Sequence, residues 1–268
     1  MTTRKAIFVT GGASGIGRAI ALYFAEQGWF VGVGDLDEAG MRETLAMIGH
    51  DATFQHRFDV RERDAWDAAL AAFAEAAGGR IDVLANNAGI PLGGALVENS
   101  EAEITRCLDI NLKGVLFGAQ ASHRWLKQTA PGSCLINTAS AAGVYGTPGA
   151  SVYSATKFGV KGITESLDGE WWDDGIKVRS LCPSFIDTPL LDHNTNARSN
   201  EGIRQRVEDA GLEITPVGEV ARAAWDAVHG DRLHTLVGKT AKRLAFGARW
   251  MPGSIRKQTR SSARPLGK

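Results

Sequence analysis

Directly after the short apolar run Lys5 to Thr10, the chain reads Gly-Gly-Ala-Ser-Gly-Ile-Gly from Gly11 to Gly17. No other feature restricts the possible folds as much. A β-rich run that ends in glycines and opens into a helix is the first turn of a strand–helix–strand unit. The helix start presents unpaired N–H groups and the positive end of its dipole, a ready site for a pyrophosphate. Glycines let the backbone turn tightly and approach that anion with no Cβ in the way. Gly11, Gly15 and Gly17 give a Gly-x3-Gly-x-Gly spacing, which differs from the usual Gly-x-Gly-x2-Gly fingerprint. Neither Lys-Ser nor Lys-Thr follows, so a Walker A loop is excluded. A tight connection that binds nothing is the competing reading of the same residues.

Downstream, strand and helix patterns keep alternating. Strands are predicted at Phe30–Gly34, Phe54–Phe58, Ile81–Ala85, Ser133–Asn137, Ile176–Leu181 and Leu233–Val237, with helices between them. One long helix is expected over Glu101–Gln128 and another over Ser151–Asp173. The alternation predicts an α/β fold: a doubly wound (Rossmann) parallel seven-stranded sheet with helices on both faces, in a single domain over 1–238. The segment over about 183–215 is polar and longer than ordinary connections, as expected of a substrate lid.

At 268 residues, 44% hydrophobic and 22% charged, the composition is that of a soluble globular protein. No run approaches the roughly 18 apolar residues of a membrane span, and no signal-peptide pattern opens the chain. Cys107, Cys134 and Cys182 are far apart and odd in number, and the six histidines are scattered. A reducing, cytoplasmic setting without metal is the expectation. No nucleic-acid partner is expected. The zero net charge hides an asymmetry. Residues 239–268 hold nine Lys or Arg and no acid, which leaves 21 basic and 30 acidic residues in the first 238. This basic C-terminal tail also carries Phe246, Trp250 and Met251. It suits a peripheral membrane contact, a subunit boundary, or a solvated tail drawn to the acidic body.

Two further constellations carry chemistry. Asp35 lies at the end of the second strand, 18 residues after Gly17. A carboxylate there accepts bonds from an adenosine ribose diol and repels a 2′-phosphate, although a helix N-terminal acid is the plainer reading. Tyr153 and Lys157 are four apart, on one helical face, where most such pairs merely pack. A phenol is a poor base at neutral pH, with an ordinary pKa of about 10. A cation about 4 Å away at an effective dielectric near 20 is worth roughly 4 kcal/mol, or about three pKa units. Lys157 is therefore expected to depress the pKa of Tyr153.

Together, Thr-Gly-x3-Gly-Ile-Gly, Asn86-Asn87-Ala88-Gly89, Asn111, Ser140 and Tyr153-x3-Lys157 resemble the classical short-chain dehydrogenase/reductase family. The resemblance runs from about Lys5 to Val237 in the family's order and spacing. It implies an oxidoreductase with a bound nicotinamide, NAD by the Asp35 argument, and a catalytic tetrad of Asn111, Ser140, Tyr153 and Lys157. It also implies that cofactor contacts come from Gly11, Ser14, Gly15, Ile16, Gly17, Asp35, Asp59, Val60, Asn87, Gly89, Tyr153, Lys157, Ile186 and Thr188. From the residues alone, Asn111 also reads as a solvent-facing helix Asn, Ser140 as a hydroxyl cap, and Asp59 as an N-cap. Ser184 departs from the family, which usually has Gly there, and would be strained at a positive φ. A small, mainly apolar alcohol or ketone is expected as substrate, flanked by Leu92, Leu96, Val144, Tyr145, Phe185, Leu190 and Leu191. Arg198 and Arg204 leave room for an anionic one. The resemblance further implies a homodimer or homotetramer, paired through helices bearing Phe117, Leu167 and Trp171 or Trp172. A non-catalytic nucleotide sensor, or an epimerase or dehydratase with retained NAD, are the alternatives.

Overall fold

Along the first strand Ile7 and Val9 face one layer and Ala6 and Phe8 the other, all four fully buried. A strand covered on both faces belongs in the middle of a parallel sheet with helices on each side. The computed structural model, which describes residues 4–49, 51–194, 196 and 202–262, has this arrangement. Its elements begin β1 (Ala6–Thr10), α1 (Gly15–Glu26), β2 (Phe30–Asp35), α2 (Glu38–Ile48), β3 (Thr53–Arg57), α3 (Arg63–Ala76) and β4 (Val83–Asn86). They continue with α4 (Glu101–Leu108), α5 (Gly114–Thr129), β5 (Cys134–Thr138), α6 (Ser151–Glu170), β6 (Lys177–Pro183) and β7 (Phe185–Ile186). The rest are α7 (Ile203–Asp209), β8 (Ile214–Thr215), α8 (Val217–His229), β9 (His234–Val237), α9 (Lys239–Trp250) and α10 (Pro252–Ser262).

The seven-stranded sheet runs β3-β2-β1-β4-β5-β6-β9, every pair parallel. Strand order reverses between β1 and β4, so a crevice opens beyond their carboxyl ends, where ligands of such sheets bind. On one face α1, α2 and α8 cover Val9, Val31 and Val33, and Phe24, Trp29 and Trp225 meet with ring centroids 5.1–6.0 Å apart. On the other, α3, α5 and α6 cover Phe8, Leu84 and Leu135 with Trp66, Phe73 and Leu126. Burying a side chain of this size contributes about 1.5–3 kcal/mol, so these two layers hold the sheet ends in place.

Three details differ from the sequence reading. The long helix expected over Glu101–Gln128 is interrupted by a π-helical turn, Asp109–Lys113. The extra residue in that turn swings Asn111 inward, so it is fully buried rather than solvent-facing. Ser184 is not strained, because no described residue other than glycine has a positive φ. The basic tail is helical, α9 and α10, as far as Ser262; Arg264 and Lys268 lie outside the described residues, as does Arg198. The lid segment carries β7 and β8, which pair with each other, a short 3-10 turn at Pro189–Asp192, and α7.

Candidate active site

The glycine turn is shaped for a close approach. A Cβ on Gly17 would sit 2.1 Å from the carbonyl oxygen of Gly11, so no other residue fits there without moving the turn. Gly15 has φ +52°, and a Cβ on it would meet the Thr188 side chain at 3.3 Å. The start of the lid therefore lies across from the glycine turn. Ser14 precedes α1 with its side chain unused as a cap, leaving the first N–H groups of Gly15, Ile16 and Gly17 without an intrahelical partner.

Asp35 closes one side of this turn. Its Oδ2 accepts from Ala13 N–H at 3.2 Å, and Oδ1 accepts from Leu36 N–H at 2.7 Å and Asp37 N–H at 3.1 Å. The carboxylate thus ties the glycine turn to the start of α2, whose N-cap is the Asp37 side chain. Arg18 reaches the same turn: its guanidinium donates to the carbonyls of Ala13 and Gly40 and to Thr44 Oγ1 at 3.0 Å, and pairs with Glu43 Oε2 at 2.9 Å. Asp59 does not cap α3. It grips Arg61, with Nη2 to Oδ2 at 2.6 Å, and that guanidinium holds its carboxyl below the usual range. Val60 is tied beside it, its carbonyl accepting from Trp66 Nε1 at 2.9 Å.

The Asn86–Gly89 turn after β4 hangs from Thr10. The hydroxyl of Thr10 accepts from the N–H groups of Asn87 at 3.0 Å and Ala88 at 3.1 Å. Asn87 Nδ2 donates to the Thr10 carbonyl at 3.0 Å, and Asn87 Oδ1 accepts from Thr138 Oγ1 at 3.2 Å. Thr10 is thus a positioning residue that the sequence reading left as the edge of a motif. Its signal was a hydroxyl at a strand end, before glycine.

The four tetrad positions converge beyond the carboxyl ends of β4 and β5. Asn111 clamps the backbone of Ile90, accepting its N–H and donating to its carbonyl, both at 2.9 Å. Asn111 Oδ1 and Lys157 Nζ both flank Gly89, 3.2 and 3.7 Å from where its Cβ would be. Lys157 is 4% exposed, and its Nζ donates to the Thr138 carbonyl at 2.8 Å. Ser140 follows β5; its hydroxyl caps the next turn by accepting from Ala142 N–H at 3.1 Å, with only a long contact, 3.4 Å, to the Pro183 carbonyl. Burial pushes the half-buried Tyr153 up to about 12, opposed by a hydrogen bond from Ser140. Burial likewise pushes Lys157 down to about 8. The expected depression of Tyr153 by Lys157 is therefore absent. The reason is geometric: Nζ lies 5.5 Å from the centre of the Tyr153 ring and bonds Thr138, so desolvation of the phenol dominates. Cys107, a buried thiol, accepts from Asn111 Nδ2 at 3.5 Å.

The expected pocket residues divide. Leu92 packs inward on Cys107 and Val152, and Leu191 is buried. Leu96 faces outward, and Val144, Tyr145, Phe185 and Leu190 are half-buried. Arg204 is held by Asp192 at 2.7 Å and Asp187 at 2.9 Å, so it is not free for a substrate anion.

A family model described as short chain dehydrogenase matches residues 5–199. An uncharacterized short-chain type dehydrogenase/reductase of Sinorhizobium fredii is 36% identical over 221 residues, 81% of this chain, which spans only 38% of that longer protein. A 3-alpha-(or 20-beta)-hydroxysteroid dehydrogenase of Mycobacterium tuberculosis is 38% identical over 189 residues, 70% of this chain and 71% of that one. Among solved structures, a short chain dehydrogenase/reductase from Burkholderia phymatum in complex with NAD superposes with a TM-score of 0.83 at 25% identity, covering 100% of this chain and 99% of that one. Sheet order, glycine turn and matched residues agree, and the chain belongs to the short-chain dehydrogenase/reductase family.

Proposed function

We propose that this chain is an NAD(H)-dependent oxidoreductase that moves a hydride between nicotinamide and a secondary alcohol or ketone, with Tyr153 as its acid and base. The observation that carries this reading is the convergence of Tyr153, Ser140, Lys157 and Asn111 beside a glycine turn closed by Asp35. The cradle fits a dinucleotide. Gly11, Ser14, Gly15, Ile16, Gly17 and Thr188 would hold its pyrophosphate, Asp35 the adenosine ribose, and Asp59 and Val60 the adenine. Asn87 and Gly89 would pass the ribose, and Ile186, with Lys157 and Tyr153, would meet the nicotinamide half.

When bound, the nicotinamide supplies the ring that gives or takes the hydride. The side chains handle the proton. The Ser140 hydroxyl, which accepts from Ala142 N–H and bonds Tyr153, would meet the substrate oxygen beside that phenol. Tyr153, pushed up to about 12, is protonated at neutral pH and so starts as a proton donor to a ketone oxygen. Lys157, 5.5 Å from the ring centre and bonded to the Thr138 carbonyl, would hold the nicotinamide ribose. Asn111 holds the Ile90 backbone and so fixes the floor of the site. Alcohol oxidation needs the phenolate, so its rate should rise with pH, while ketone reduction should hold level through neutrality. The cationic ring of oxidised NAD favours the phenolate, so the oxidation profile should turn over below pH 10.

The substrate is a small molecule, mainly apolar, in line with the ion-paired Arg204 and with the hydroxysteroid dehydrogenase relative. A panel of secondary alcohols and alicyclic ketones, followed at the nicotinamide absorbance with NAD and NADP in turn, tests the reading. Absence of turnover with every pair overturns it. The same reading includes a homodimer or homotetramer. Leu116, Phe117, Leu167 and Trp171 line an open groove of about 490 Å³ on α5 and α6, with Trp172 exposed beside it. A monomer by light scattering at micromolar concentration would remove that part.

A further inference from the structure

The outer face of α9 is organised in a way that the dehydrogenase reading does not use. The helix packs on β9 and on Ala141–Gly143, the turn that follows Ser140; Ala241 is buried, and Gly247, also buried, faces α10. Its outer side carries Lys242, Arg243, Phe246, Arg249 and Trp250, all exposed. At about 100° per residue these five positions fall within an arc of about 120°. Phe246 and Trp250 occupy the middle of the arc; Lys242 and Arg249 lie on one margin and Arg243 on the other. Phe246 is 59% exposed and Trp250 65%, far more than a soluble surface needs. The Arg249 guanidinium lies over the Trp250 ring at 5.4 Å. After Met251, α10 adds Arg256, Lys257 and Arg260, all exposed, on a helix docked through Ile255 against Gly247. Among the described residues of both helices only Lys239 forms an ion pair, with Glu213 at 3.1 Å.

We propose that this face docks on an anionic lipid bilayer, with Phe246 and Trp250 at the boundary between headgroups and acyl chains and the flanking cations on the headgroups. A strip of aromatic side chains with basic margins and no acid is the pattern of a helix that lies in a membrane interface. Trp suits that depth, since its ring is amphipathic. The charge is complementary only to an anionic surface, near which each Lys or Arg contributes about fivefold in binding. Duplex nucleic acid would match the cations but keeps its bases stacked inside, away from the aromatic pair. Docking leaves the turn after Ser140 about 10 Å, one helix diameter, from the bilayer.

Sedimentation of the full chain with phosphatidylcholine vesicles, with and without a third of phosphatidylglycerol, tests the proposal. Binding should be at least tenfold tighter to the anionic vesicles and should weaken as salt rises from 0.05 to about 0.5 M. F246S/W250S should lose about tenfold with unchanged thermal unfolding, because both side chains are exposed. Lys242→Glu with Arg243→Glu and Arg249→Glu should lose at least a hundredfold. No binding at low salt, or equal binding to neutral vesicles, overturns the proposal. So does an unchanged vesicle affinity of F246S/W250S. An oligonucleotide that binds more tightly than the vesicles would reassign the face to nucleic acid. A fall in oligomeric size of F246S/W250S without vesicles would reassign it to a second copy of this chain.

Discussion

The two walls of the cleft are built from different forces. On the nucleotide wall, side chains bond backbone: Asp35 to Ala13, Leu36 and Asp37, Thr10 to Asn87 and Ala88, Asn111 to both backbone groups of Ile90. Most of these atoms are buried or half-buried, where each bond is worth about 1 kcal/mol net and leaving one unmade costs more. On the lid wall, α7 is held by Arg204, whose partners Asp187 and Asp192 are largely exposed. Pairs of that kind contribute about 0–1 kcal/mol. A stiff wall suits an invariant ligand and a soft one suits entry and exit of a variable one.

The comparison is sharpest where the two walls meet, at Tyr153. Tyr153→Phe removes the transferred proton and little volume. Turnover should fall at least a thousandfold while NAD affinity, measured by calorimetry, stays within about threefold. Retention of a tenth of the activity would assign the proton to another group. The next largest effect belongs to the stiff wall. Repulsion between Asp35 and a 2′-phosphate about 5 Å away costs roughly 3 kcal/mol at an effective dielectric near 20, over a hundredfold in affinity. Wild type should prefer NAD at least about thirtyfold in kcat/KM, and Asp35→Ala with Leu36→Arg should narrow or reverse the ratio. Equal use of both cofactors by the wild type would mean that Asp35 does not face the ribose.

Lys157 tests how much stability the site gives up. Its folded pKa of about 8 lies below the ordinary 10.5, so between those values the unfolded chain binds more protons and wild-type stability rises with pH. Lys157→Met removes up to about 3 kcal/mol of desolvation cost and forfeits about 1 kcal/mol for the bond to Thr138. The variant should be inactive yet about 2 kcal/mol more stable in urea at pH 7, the gain fading between pH 8 and 10.5. A variant less stable than wild type at pH 7 would contradict this. The smallest effect is expected on the soft wall. Arg204→Ala should change stability by no more than about 0.5 kcal/mol, and raise the KM for substrate severalfold with NAD affinity unchanged. A matching loss of NAD affinity would show that the two walls are one rigid unit.

What was legible in the chain follows the same division. The order of strands and helices was readable because hydrophobic period and glycine placement act locally, whereas Asn111, Ser140, Tyr153 and Lys157 were singled out by the family resemblance. The π-turn was not, because Asp109–Lys113 has an ordinary helical pattern and the half-buried Ile90 backbone that bonds the inward Asn111 lies 21 residues away. The depressed amine and raised phenol were misjudged for a related reason. Sequence spacing gives the separation of Tyr153 and Lys157 along a helix but not the Thr138 carbonyl that competes for the ammonium. The pairing of Asp59 with Arg61, two residues on, was not foreseen, because an N-cap is the commoner use of an acid just before a helix. The helical state of the tail was hidden by its basic, weakly apolar composition, which resembles a solvated segment.

One packing contact has a consequence for how the chain reaches this state. Helix α1 rests on α8, and Phe24 and Trp29 are sealed by Trp225, nearly two hundred residues later. During synthesis that aromatic patch stays open until α8 has emerged, so the first strand–helix unit matures last as well as first. A fragment ending before Val217 should therefore bind a hydrophobic dye strongly, and the full chain should not.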